Sequence, residues 1–212
     1  ETGQNAHRFS VEWSRIHPTP DTWDEHALER YRAMLRGLKE RGMTPMVTLH
    51  HFSDPLWFFE MDGWEHEDAV ALFEKFVRKT VGALKEYCTL WCTINEPNVY
   101  ALSGYVTGDF PTKRRGINVA MRVMGNMLRG HAAAYHAIHE IQPEARVGFA
   151  HHHRPMMAKR TWSPLDVLMR KIRYDGLNMG FPSGISTGVM KSPVGNQNIP
   201  EAKGTQDFIG LN

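Results

Sequence analysis

Leu90-Trp91-Cys92-Thr93-Ile94-Asn95-Glu96-Pro97 is the stretch on which the reading of this chain depends. Leu90 to Ile94 reads as a short buried strand. Pro97 cannot donate a ladder hydrogen bond, so the strand ends there. Glu96 therefore stands at the carboxyl end of a strand, with Asn95 beside it. In folds that alternate strand and helix around a barrel, that rim carries the chemistry. The chain offers no second carboxylate in so favourable a setting.

Working outward, the chain alternates strand and helix. Phe9 to Ile16 shows period-two alternation and predicts a strand. The spacing of Leu28, Tyr31, Leu35 and Leu38 predicts a helix over about Asp24 to Arg41, closed by Gly42. Met46 to His50 predicts the next strand, and Phe73, Val77, Val81 and Leu84 a helix over about Asp68 to Tyr87. Beyond Glu96, a long helix is expected from Val119 to Ile141, ended by Pro143. A strand follows at Arg146 to Ala150, then a helix at about Leu165 to Asn178. Phe181 to Gly204, rich in Gly, Pro, Ser and Asn, reads as one long loop before a last strand at Asp207 to Asn212. Five strands in this order argue for a parallel sheet within a single domain spanning 1–212. The pattern alone leaves a doubly wound fold and a barrel both open. No glycine-rich phosphate loop follows the first strand, which weakens a nucleotide-binding or hydride-transfer reading. Polar residues gather just past the strand ends: Arg15, His50, His51, Asn95, Glu96 and His151 to His153. That favours a barrel with one rim site.

A net charge of +2 with interspersed signs gives no basic stripe, so nucleic acid and anionic membrane are not expected partners. No apolar run approaches the length of a membrane helix. Cys88 and Cys92 flank one strand, which holds them too far apart for a disulfide, and a reducing cytoplasm is expected. The opening Glu1-Thr2-Gly3-Gln4 has neither an initiator Met nor a signal-peptide pattern, consistent with a fragment.

Five ordered segments resemble glycoside hydrolase family 1, the retaining β-glucosidase and β-galactosidase group. They are Arg8 to Ile16, Val47 to Phe52, Thr93 to Pro97, Gly104-Tyr105 with Gly108 and Pro111, and Asp207 to Asn212. The resemblance implies a (β/α)8 TIM barrel, an α/β fold, of which this chain covers about strands two to six. It implies a retaining β-glycosidase, β-glucosidase-like, that hydrolyses O-glycosyl bonds by double displacement on a small-molecule β-glycoside. Carried over by position, Glu96 is the general acid/base, and Asn95 the amide that bonds the sugar 2-hydroxyl. His51 contacts glycone hydroxyls. Arg8 sits beside the nucleophile, and Asn212 lies near the site. The nucleophilic glutamate would lie on strand seven in a Glu-Asn-Gly context, and no such tripeptide occurs here. The 212 residues alone are accordingly expected to be inactive. Phe52, Asn98, His152 and Thr112 depart from frequent family residues, which bears on substrate preference more than on reaction class.

The chemistry explains the residue types. An alkoxide is a poor leaving group until protonated, so one carboxylic acid gives a proton and later takes one back. A second carboxylate attacks the sugar, roughly 5–5.5 Å away in retaining enzymes. An amide bond to the 2-hydroxyl strengthens as oxocarbenium character develops. Trp91, Phe52 and Trp64 offer flat faces for sugar C–H surfaces. No cofactor or metal is expected: alternation puts at most His151 and His153 on one face, with no acidic or Cys partner at ligand spacing. His50 and His51 face opposite ways, and the resemblance selects His51 for the site. Glu12, Asp54 and Glu65 read as surface or supporting groups rather than a replacement nucleophile. The rival reading is a non-catalytic half-barrel that holds a sugar or a partner without cleaving.

Overall fold

The apolar runs do become strands, and the three central ones are buried along most of their length, as expected of parallel strands packed under helices. In the computed structural model, which describes residues 3–212, the chain runs β1 (Ala6–Ser10), α1 (Trp13–Ile16), α2 (Glu25–Glu40), β2 (Thr44–His50), α3 (Leu56–Glu60), α4 (Ala69–Leu84) and β3 (Leu90–Asn95). It continues through α5 (Pro97–Leu102), α6 (Ile117–Ile141), β4 (Arg146–His151), α7 (Pro164–Leu177) and α8 (Gly180–Thr187). A small pair, β5 (Val189–Met190) and β6 (Gln197–Asn198), precedes β7 (Phe208–Leu211). The main sheet is five-stranded in the order β1-β2-β3-β4-β7, and every pairing is parallel.

Helices α2, α4 and α6 cover the outer face. Asp24 starts α2 by accepting the Ala27 amide at 3.0 Å. The densest packing is aromatic: Trp13 lies 4.8 Å from Phe58 and 5.0 Å from Phe76, ring centre to ring centre, with Phe73 and Trp64 alongside. All five side chains are almost wholly buried. Met121, Met124 and Met127 on α6 fill the same core.

Two expectations are corrected. The strand predicted over Phe9 to Ile16 stops at Ser10. Val11 and Trp13 continue the alternation of buried residues, but Glu12 caps a helical turn by accepting from Ser14, and Trp13 to Ile16 coil. The stretch 181–204 is not one loop. It contains most of α8, the β5–β6 pair and a 3-10 turn at Pro200–Ala202, because Phe181 and Ile185 bury against α6 and β4 while glycines permit the close approach. At Gly184 a Cβ would meet Leu128 at 2.2 Å.

Candidate active site

Four chain segments deliver the rim groups. The β3 strand does so through an irregularity. Thr93 faces outward to His131 on α6, at 2.6 Å, so strict alternation would turn Asn95 outward too. The β3–β4 register shifts between Cys92 and Asn95, and the shift turns Asn95 inward, where it meets Arg8 of β1. Arg8 donates from Nη2 to Asn95 Oδ1 and from Nε to Thr48 Oγ1 of β2, the latter at 2.8 Å. Asn212, just beyond β7, donates from Nδ2 to Glu96 Oε1 at 2.6 Å and to Asn95 Oδ1 at 3.1 Å. Arg8, Asn95, Asn212 and Glu96 thus form one connected chain of hydrogen bonds. With Oδ1 accepting twice, the Asn95 amide is fixed in orientation, and Nδ2 is the group left to donate.

Glu96 has φ 46° and ψ 60°, left-handed values for a residue with a side chain. Its amide donates to the Ala150 carbonyl at 2.7 Å, and its own carbonyl receives the Tyr100 amide at 3.0 Å. The turn lifts the carboxylate out of the strand line, leaving its side chain 15% exposed at the rim. His152 Nδ1 lies 3.9 Å from Glu96 Oε1.

His51 bonds Ser10 Oγ through Nδ1 at 2.7 Å. Desolvation, and next the Arg8 cation, hold its pKa below the usual imidazole value against the opposing pull of Glu96. The ring is neutral at neutral pH, with one nitrogen donating and the other accepting. His50 turns the other way: it is buried among Trp64, Phe73 and Tyr100 and donates from Nε2 to Asp54 at 3.0 Å. His151 is buried with both ring nitrogens unpartnered, and burial pushes it down to about 4.

Other sequence candidates lie elsewhere. Trp91 and Trp64 offer no face to a sugar. Trp91 is buried, donating to Gln142 at 2.9 Å, and Trp64 belongs to the aromatic core. Only Phe52 of the three reaches the rim, edge-on to His51 and tilted against Phe110. Arg15 is exposed on α1 and joins none of these contacts. Asn98 is buried, donating to the carbonyls of His152 and Leu177. Glu12 is tied to Ser14 and Ser53, and Glu65 to Arg122. Cys88 and Cys92 are free and buried. Among the described residues, no group of three or more His, Cys, Asp or Glu is placed to hold a metal ion, and no helix is long and apolar enough to cross a membrane. Thr48 and Ser10, which orient Arg8 and His51, were missed. Each is a lone hydroxyl near the carboxyl end of its strand, which nothing in the local pattern singles out. Beside the rim, a cavity of about 510 Å³ is walled by Phe52, Tyr100, Tyr105 and Phe110, with Asp54 and Glu65 in its lining.

A parallel strand–helix sheet with a carboxylate at its carboxyl rim places that group where barrel enzymes carry out their chemistry. Residues 1–181 match the profile of glycosyl hydrolase family 1, and the chain belongs to that family. Over 98% of its length it superimposes on a beta-glycosidase from Pyrococcus horikoshii with a TM-score of 0.90 and 35% identity, covering 48% of that chain. A beta-glucosidase from Thermotoga maritima in complex with glucoimidazole gives a TM-score of 0.90 at 26% identity, with 50% of that chain covered. A chloroplastic beta-glucosidase-like protein of Oryza sativa subsp. japonica is 33% identical over 171 residues, which are 72% of this chain and 26% of that protein. The five-stranded sheet is therefore part of a (β/α)8 barrel, and the chain spans about half the length of these solved relatives.

Proposed function

We propose that this chain carries the acid/base side of a retaining β-glycosidase site acting on β-glucosides or related glycosides. The observation that supports it best is the bonded group Arg8–Asn95–Asn212–Glu96, a rim carboxylate held next to an amide whose donor is free for a sugar hydroxyl. In this reading Glu96 gives its proton to the glycosidic oxygen as the C–O bond breaks, and the aglycone leaves as an alcohol. A carboxylate from the remainder of the barrel bonds the anomeric carbon. Glu96, now ionised, takes a proton from water, whose oxygen displaces that carboxylate. Asn95 Nδ2 donates to the 2-hydroxyl oxygen, most strongly in the transition state. Arg8 keeps the attacking carboxylate charged. Neutral His51 exchanges hydrogen bonds with glycone hydroxyls.

The test is Glu96→Gln in the full-length gene product. With alkyl or phenyl β-glucosides, kcat/KM should fall by about 10²–10⁴-fold, the range of a lost general acid. Undiminished turnover in that variant sinks the assignment. A second reading draws on the absence of another carboxylate bonded into this cluster among the described residues. In that reading the chain binds sugar without cleaving it. Calorimetric sugar binding without hydrolysis, abolished by Asn95→Ala, would favour it.

A further inference from the structure

Helix α5 begins one residue after Glu96, so whatever holds α5 also holds the rim carboxylate. The left-handed backbone at Glu96 persists only if its surroundings over-determine it. Two clamps do so. On the β4 side, Asn98 Nδ2 donates to the His152 carbonyl at 2.8 Å and the Leu177 carbonyl at 3.1 Å. On the β2 side the clamp is a single carboxylate. Asp54 Oδ2 accepts the Tyr100 hydroxyl at 2.5 Å, and Oδ1 accepts from His50 Nε2 at 3.0 Å. The Asp54 side chain is 11% exposed, and His50 has none of its side chain exposed. His50 Nδ1 has no partner, so the ring proton sits on Nε2 and is given to Asp54.

Both partners of Asp54 are one short step from the rim. Tyr100 stands one helical turn after Glu96 and bonds its carbonyl. His50 is the backbone neighbour of His51. One carboxylate thus links the two segments that present the acid and the glycone-facing imidazole. Only an acceptor with two oxygens and no hydrogen serves both donors; an amide would set its NH2 group against one of them.

We propose that Asp54 is a positioning residue for Glu96, acting through Tyr100. The proposal rests on the glycosidase reading above. A displaced acid harms catalysis in a characteristic way. Leaving groups that need a proton suffer, whereas dinitrophenolate departs without one. A merely structural loss lowers the rate on every substrate alike.

The experiment measures kcat/KM of the full-length gene product and its Asp54→Ala, Asp54→Asn and Tyr100→Phe variants. The substrates are β-glucosides of dinitrophenol, nitrophenol, phenol and methanol. Asp54→Ala should lose about tenfold on phenyl and methyl glucosides, because misplacement of a reacting group is costly, and at most about twofold on the dinitrophenyl substrate. Asp54→Asn and Tyr100→Phe should fall between it and the parent, again losing more on the phenyl and methyl substrates than on the dinitrophenyl one. Tyr100→Phe keeps the ring packing and carries the test if Asp54→Ala does not fold. A loss equal across the series, or no loss on the phenyl substrate, overturns the proposal while leaving the glycosidase reading intact. A parent protein that cleaves none of the four removes both.

Discussion

His131 is a buried residue that the chemistry at the rim does not use, and it makes the pH response of the fold predictable. It has no exposed surface, and both ring nitrogens are engaged at 2.6 Å, with Thr93 Oγ1 and the Thr205 carbonyl. The carbonyl requires a donor at Nε2, while the Thr93 hydroxyl, which also reaches the Gly148 carbonyl at 3.2 Å, faces Nδ1. Burial pushes its pKa down to about 4 from an ordinary 6.5. The folded value is depressed, so between those two pH values the unfolded chain binds a proton that the folded chain refuses. Stability is therefore lost as pH falls through that window and is unaffected above it. His131 alone should remove about 2 kcal/mol between pH 8 and pH 5, and His151 acts with the same sign. Urea unfolding at the two pH values would show it; coincident midpoints would contradict it. At this scale the sequence declares residue types and order well. Glu96 beside Asn95 before a proline, and His51 as the neighbour opposite His50, can be read from alternation and a breaker. The inward turn of Asn95 could not be, because it depends on a register shift that no local pattern encodes.

Among the elements, β4 and β7 leave no room for a side chain at Gly148. A Cβ on Gly148 would lie 2.2 Å from the Phe208 carbonyl oxygen and 2.8 Å from its ring. Gly148→Ala must push the two strands apart, at a cost of about 3 kcal/mol on the scale of overpacked cores. Because β7 leads directly to Asn212, which reaches Glu96, the same change should weaken inhibitor or sugar binding as well as lowering the melting temperature. An unchanged melt would show that the strands accommodate the methyl group. The long elements were legible because their periodicities span many residues: α2, α4 and α6 are found within a few residues of their expected limits. The strands at 46–50, 90–94, 146–150 and 207–212 were legible too, but two short helices were not. In α1, one capping carboxylate at Glu12 outweighs the alternation of Phe9, Val11 and Trp13. In α8, the glycines that suggest a loop are what let the helix sit against Leu128 and Met124. Contacts distant in sequence decide both.

At the scale of the molecule, the sheet has two outer strands, β1 and β7, with no strand on their far sides among the described residues. The (β/α)8 relatives extend well beyond the part this chain covers. Unpaired parallel edges invite pairing with another chain. The 212-residue polypeptide by itself should elute as larger species whose share grows with concentration, by light scattering over a dilution series; a monomer at every concentration would refute this. The parallel strand–helix sheet was legible in the pattern, and polar residues recurring at one end of successive apolar runs favoured a barrel over a doubly wound fold, but the (β/α)8 class itself came from the family resemblance. How far around the barrel the chain reaches came from the resemblance rather than from the pattern. The two edges are also unlike each other. Joining β7 of one copy to β1 of the next extends a single parallel sheet, a head-to-tail contact with no two-fold axis. Such a contact does not end at a pair: it leaves one fresh edge at each end, and growth halts only when a ring of strands closes.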